Sequence, residues 1–136
     1  MQHHLAILLP RYLEMILSGR KRIECRFGRR PVPPHGAVQE NDVIWLKQSS
    51  GPVYGVAQAG RVRHYDGLDP ATLRRLRREH GPAICAEAGF WRSYRDARYA
   101  TLIWLKDIRS LPPFQIDKTD RRAWVILPGP PVPKPV

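Results

Sequence analysis

The apolar positions of this chain follow two periods. Leu5-Ala6-Ile7-Leu8-Leu9 is a short continuous apolar run, which predicts a buried strand. Pro10 then suits the first turn of a helix, where a missing N–H costs nothing. Leu13, Ile16 and Leu17 fall at helical spacing, and Gly19 is placed to end that helix in a left-handed cap. From Arg22 to Phe27 the period changes to two. Ile23, Cys25 and Phe27 fall on one face of a strand, and Glu24 and Arg26 on the other. Residues 28–41 hold Gly28, Pro31, Pro33, Pro34 and Gly36 and read as a basic, proline-stiffened loop.

Asp42 to Lys47 reads as a strand, turned by Ser49-Ser50-Gly51-Pro52. A long strand from Val53 to His64 follows, bent or bulged at its glycines. Asp69-Pro70 has the chemistry of a helix cap and first residue. Leu73 and Leu76 give this helix a thin apolar stripe, and Arg74, Arg75, Arg77 and Arg78 cover the rest. Gly81-Pro82 is expected to end it. A short helix is expected within 83–95, a strand over Tyr99 to Lys106 with a break at Pro112-Pro113, and a last strand over Arg122 to Leu127. Five prolines in residues 128–136 predict an extended, mobile tail. The fold class is therefore α+β: a small mixed β-barrel of about six strands with two or three short helices, spanning residues 1–127.

The chain has 136 residues, the length of one domain, enough to bury a core without disulfides. Its formal net charge is +11, which points to a polyanion and first to nucleic acid. The excess is mostly arginine, which suits bidentate phosphate contacts and stacking. No apolar run approaches 18 residues, so no membrane partner is expected. The N-terminal residues show no signal-peptide pattern. Cys25 and Cys85 lie sixty residues apart with no CxxC, which argues against a zinc site and a disulfide framework. Two free thiols suit a reducing cytoplasm. His3 and His4 face apart in a strand, and His64 and His80 are lone, so neither metal nor cofactor is expected.

One stretch concentrates chemistry: Gly19-Arg20-Lys21-Arg22-Ile23-Glu24-Cys25-Arg26. Lys21 lies at a helix–strand junction. Glu24 and Arg26 lie two apart on a strand, on one face and roughly 7 Å apart. Lysine and arginine can hold a phosphate or an oxyanion. Glu24 can orient the arginine or activate a water.

Gly19-x-Lys21-x-x-Glu24-x-Arg26 matches the G-x-K-x-x-E-x-R signature of the ASCH domain, a member of the PUA-like superfamily. The resemblance covers about residues 4–127, including Asp42-Val43-Ile44-Trp45, Tyr99 to Ile103 and Arg122 to Val125. It implies a PUA-like barrel with a cleft beside the first helix, lined by the motif, and RNA or nucleotide binding. Some relatives are ribonucleases, and a subgroup hydrolyses the acetyl amide of N4-acetylcytidine. In that subgroup a threonine stands where this chain has Glu24; Thr101 could supply a hydroxyl in its place.

Two functions follow as expectations. In the first, a monomeric RNA-binding domain holds a nucleotide or phosphate through Lys21 and Arg26, with Glu24 bracing Arg26 or reading a base edge. Gly19, Arg20, Arg22, Arg29, Arg30, Lys47 and Arg98 complete the candidate nucleic-acid surface. In the second, a metal-independent hydrolase uses Lys21, Glu24 and Thr101. Trp45, Trp104 and Trp124 are expected in the core, and Trp91 and Tyr94 at a stacking surface. The proline-rich tail is read as a disordered end rather than a protein ligand.

Overall fold

Strand β1 (His3–Leu8) is followed directly by α1 (Pro10–Leu17), with Pro10 in its first turn. Leu13 and Ile16 are the buried residues of α1, and each contributes roughly 1.5–3 kcal/mol by leaving water. Gly19 ends the helix at φ +83°, with its N–H on the Ile16 carbonyl and the Lys21 N–H on that of Met15. No neighbour lies within 4 Å of a Cβ there, so the backbone angle alone requires glycine. Gly19→Ala is expected to cost about 1 kcal/mol, read as a lower denaturation midpoint at unchanged slope.

The computed structural model describes residues 1–118 and 120–135. The remaining elements are β2 (Ile23–Gly28), β3 (Val43–Gln48), β4 (Val53–Asp66), α2 (Pro70–Ile84), α3 (Ala88–Ser93), β5 (Tyr99–Phe114) and β6 (Trp124–Leu127). The six strands form one mixed sheet in the order β2-β5-β4-β3-β1-β6, curled into a half-barrel. β1 and β3 run parallel, and the other pairs are antiparallel. The expected α+β class with six strands and three helices is what the chain adopts.

The bend comes mainly from β4. Its register against β5 shifts at Val53/Gly55, Val56/Gln58 and Ala59/Val62. A Cβ on Gly55 would sit 2.8 Å from the Arg109 carbonyl, and one on Gly60 2.9 Å from that of Trp104. The two strands approach there too closely for any side chain, and repeated bulges coil the sheet.

Two expectations about where elements stop need correction. α2 does not end at Gly81-Pro82 but continues to Ile84 and is capped by Cys85 in the left-handed region. Ile84 is fully buried in the second core, and that burial outweighs the local cost of the proline. β5 likewise runs through Pro112-Pro113 to Phe114. β2 pairs only with residues Tyr99 to Trp104, so beyond them one side of β5 is an edge, where proline forfeits no ladder bond.

Both faces of β5 are covered. Ile103 joins a core with Ile16, Ile44, Leu46 and Trp124, while Leu102 joins one with Leu76, Ile84 and Trp91. Adjacent residues of a strand point to opposite faces, so α1 and the α2–α3 pair pack on opposite sides of the sheet. In residues 128–135, the Lys134 N–H donates to the Gln115 carbonyl and its ammonium pairs with Asp117. The end of the expected tail, Val136, lies outside the described residues.

Candidate nucleic-acid interface

Curling brings β2, one edge of the sheet, towards β1 and β6 at the other. Arg26 spans that seam. Its Nη2 donates to the Ile7 carbonyl at 3.0 Å and its Nη1 to the Ala123 carbonyl at 3.2 Å. Nε lies 3.6 Å from Glu24 Oε1, and the guanidinium carbon sits 5.2 Å from the centre of the Trp124 ring. The strand period explains the pairing, since residues two apart on β2 share a face.

Glu24 is buried. Its Oε1 accepts from the Cys25 N–H at 2.9 Å. Its Oε2 has no hydrogen-bond partner among the described residues. A buried carboxylate oxygen without a donor is costly and uncommon in a folded protein. Burial pushes the neighbouring Cys25 thiol up to about 12, with Glu24 adding to the rise and Lys21 and Arg26 opposing it. Cys25 therefore stays a neutral thiol, not a nucleophile.

Above Glu24 and Arg26 lies a cleft of about 820 Å³. Its wall is aromatic: Tyr12 from α1, Phe27 from β2, Phe90 from α3, Tyr94 at the end of that helix, and Trp124 from β6. Phe27 meets Phe90 edge-on at 5.7 Å, and Phe90 and Tyr94 lie 4.8 Å apart. Each arginine of the cleft already has a carboxylate: Arg11 has Glu87, Arg26 has Glu24 and Arg122 has Asp120.

Trp124 is held from behind. Its indole Nε1–H, which can only donate, reaches His4 Nδ1 at 3.0 Å. His4 Nδ1 is therefore the acceptor, and Nε2 carries the proton to Asp42 Oδ2 at 2.8 Å. Asp42 also accepts the N–H groups of Gln2 and Gln39. Burial pushes its carboxyl up, but the bonds from Gln2, His4 and Gln39 together outweigh it and hold Asp42 below the usual carboxylate range.

Three solved structures from Zymomonas mobilis are among those with this architecture. A crystal structure of its ASCH protein superposes with a TM-score of 0.64 at 23% identity, covering 82% of this chain and 71% of that one. Two single-substitution variants of that protein superpose with TM-scores of 0.72, at 19% and 20% identity. They cover 93% and 92% of this chain and 91% and 87% of theirs. The chain has the ASCH fold. No protein-family model matches it, and no curated protein does.

Within this ASCH fold, the signature residues divide. Glu24 and Arg26 come together in the cleft. Lys21 does not join them: it is buried, its ammonium donates to the Ile84 carbonyl at 2.6 Å, and it sits 5.3 Å from the Tyr12 ring centre. Gly19 caps α1. Thr101 is fully buried opposite Arg26 on β5, with its hydroxyl 3.0 Å from His64 Nδ1, and it does not line the cleft.

The other expected nucleic-acid contacts are scattered around the ASCH fold. Arg20 and Arg22 are exposed at the α1–β2 junction. Arg29 pairs with Asp96, and Arg30 flanks a small pocket beside His35 and Tyr99. Arg98 ties the Leu68 carbonyl to β5. Lys47 is buried with its ammonium on the Gln48 carbonyl; burial, then the nearby Lys118 charge, lowers its pKa. Trp91 is buried in the second core, whereas Tyr94 reaches the cleft. Sequence reasoning missed Tyr12, Phe90 and Trp124 as cleft residues. The spacing of Phe90 and Tyr94, four apart on a short helix, was the one signal that pointed to Phe90.

Proposed function

We propose that the cleft binds single-stranded RNA by taking up one unpaired nucleotide. The observation that carries this reading is Glu24 Oε2, an acceptor without a donor at an aromatic cleft. Unstacked bases bring N–H donors on their Watson–Crick edges and flat faces that stack on Tyr, Phe and Trp. Glu24 Oε2 takes an N–H of the base, and the aromatic wall takes its face. The second N–H of Nη1 and of Nη2, which Arg26 does not spend on Ala123 and Ile7, remain for a phosphate or ribose oxygen. The ASCH fold and the +11 charge agree with this reading.

Equilibrium binding of RNA trinucleotides tests it. Glu24→Gln keeps the shape but removes the charge, and is expected to weaken binding at least about tenfold, the loss of one charge-assisted hydrogen bond. Trinucleotide affinity unchanged in both Glu24→Gln and Arg26→Gln would overturn the reading.

The hydrolytic alternative has less support. Thr101 is fully buried with its hydroxyl against His64 and does not line the cleft, and the Lys21 ammonium is spent on a backbone carbonyl. Glu24 alone remains to activate water. With short RNA and N4-acylated cytidine as substrates, wild-type turnover is expected to equal that of Glu24→Gln. A turnover that Glu24→Gln abolishes would restore the hydrolase reading.

A further inference from the structure

The cleft does not account for the charge of this protein, because its three arginines are each matched by a carboxylate. Four arginines without a carboxylate partner converge on the other side of α3. There, a second groove of about 280 Å³ runs between α2 and α3, with Arg74 and Arg77 on one bank and Arg92 and Arg95 on the other. Leu73 and Trp91 lie between them, and the Arg77 guanidinium sits 5.9 Å from the Trp91 ring centre. None of the four pairs with a carboxylate among the described residues. The nearest acidic residues in sequence point elsewhere: Asp96 lies 3.4 Å from the Arg29 guanidinium and Glu79 3.9 Å from the His80 ring.

α3 is the shared wall of both cavities. Ala88, Trp91 and Arg92 of α3 line the groove, together with Arg95 from the turn just beyond the helix. Phe90, Ser93 and Tyr94 line the cleft. We propose that the α2–α3 groove is a second RNA subsite that takes backbone phosphates of the strand whose unpaired base occupies the cleft. The inference rests on the cleft reading and divides the work: the cleft reads a base, and the groove holds the chain. A helix about 10 Å across is passed in about three nucleotides at stacked spacing. A trinucleotide seated in the cleft therefore does not fill the groove, and a longer strand does. Four guanidiniums without a carboxylate over an apolar floor, of which only Arg95 also donates to a backbone carbonyl (that of Arg92), fit phosphate and ribose better than a neutral ligand.

The experiment compares a 3-nucleotide and a 12-nucleotide single-stranded RNA on the full chain at several salt concentrations. The triple variant R74Q/R92Q/R95Q leaves Arg77 on Trp91. A control, R61Q/R63Q/R109Q, removes the same charge elsewhere. The groove variant is expected to bind the 12-mer at least about tenfold more weakly, with the slope of log K against log salt shallower by about 0.7 for each phosphate it no longer neutralises. Trinucleotide binding stays unchanged, and the control binds both RNAs as wild type does. If the triple variant does not fold, single Arg74→Gln and Arg92→Gln variants carry the test at about twofold each.

Equal 12-mer losses in the groove and control variants, or none in the groove variant, overturn the proposal. If the groove variant binds the 12-mer normally while Glu24→Gln still weakens the trinucleotide, the groove subsite fails and the cleft reading stands. If wild type binds neither RNA, both fall. Loss of poly-glutamate binding without loss of RNA binding reassigns the groove to an acidic protein and overturns the RNA subsite.

Discussion

Arg26→Ala is expected to destabilise the fold by on the order of 3 kcal/mol and to abolish binding in the cleft. Three losses act together. The Ile7 and Ala123 carbonyls lose charged donors at the seam. Glu24 stays buried with its nearest cation gone. Trp124 loses the guanidinium against its ring. Hydrogen bonds to charged groups contribute roughly 1.5–3 kcal/mol each, and a buried carboxylate left alone costs more. The Arg26 side chain is 22% exposed, so water recovers part of that sum. Arg26→Lys separates charge from geometry. An ammonium is a single point and cannot span two carbonyls and a carboxylate as a planar guanidinium does, so lysine should rescue less than half of the loss. Denaturant unfolding with an unchanged slope is the measurement. A loss below about 1 kcal/mol would mean that the seam is held by strand contacts alone.

The pattern of alternation made most elements legible. β2 could be read from Ile23, Cys25 and Phe27, and the start of α2 from Asp69-Pro70, because these signals act within a few residues. The ends of α2 and β5 were not legible. Pro82 and Pro112-Pro113 are local stop signals overruled by burial of Ile84 and by the edge left where β2 stops, and both depend on distant partners. In the site, strand period alone joined Glu24 to Arg26. It could not show that Lys21 turns to the Ile84 carbonyl, 63 residues away. Nor could it show that Trp124 closes on His4, 120 residues away.

Charge was misleading in a more instructive way. Arg20, Arg22, Arg29 and Arg30 beside the signature looked like the polyanion surface, yet none of them lines the cleft, whose own Arg11, Arg26 and Arg122 are matched by Glu87, Glu24 and Asp120. The Arg74 to Arg78 run suited a solvated helix face as well as a phosphate-tracking surface, and two of its members converge with Arg92 and Arg95 across a groove. Net charge is a sum over residues. Which charges remain for a ligand depends on where the twelve acidic side chains land, and only the fold sets that.

Asp42→Ala is expected to cost on the order of 4 kcal/mol, because three donors lose one acceptor. The N–H groups of Gln2 and Gln39 and the His4 ring all end on this carboxylate, and His4 is fully buried. Each stranded buried donor costs roughly 1–3 kcal/mol. Asp42→Asn keeps the volume and one acceptor, so its loss should be about half as large. The pH dependence identifies the charge. The folded-state pKa of Asp42 is depressed, so its contribution is fully present above the unfolded value near 4 and is lost as pH falls through the folded value. The stability gap between wild type and Asp42→Asn should therefore be constant from about pH 5 to 7 and close progressively below about pH 4. A gap of the same size at about pH 3 and pH 7 would show that the carboxylate acts by shape and not by charge. The consequence reaches the cleft through one residue. His4 holds the Trp124 indole only while Asp42 fixes its proton on Nε2. Asp42→Asn is thus expected to weaken trinucleotide binding and to alter the near-ultraviolet signal of Trp124 together, while Asp69→Asn, a change at an exposed helix cap, alters neither.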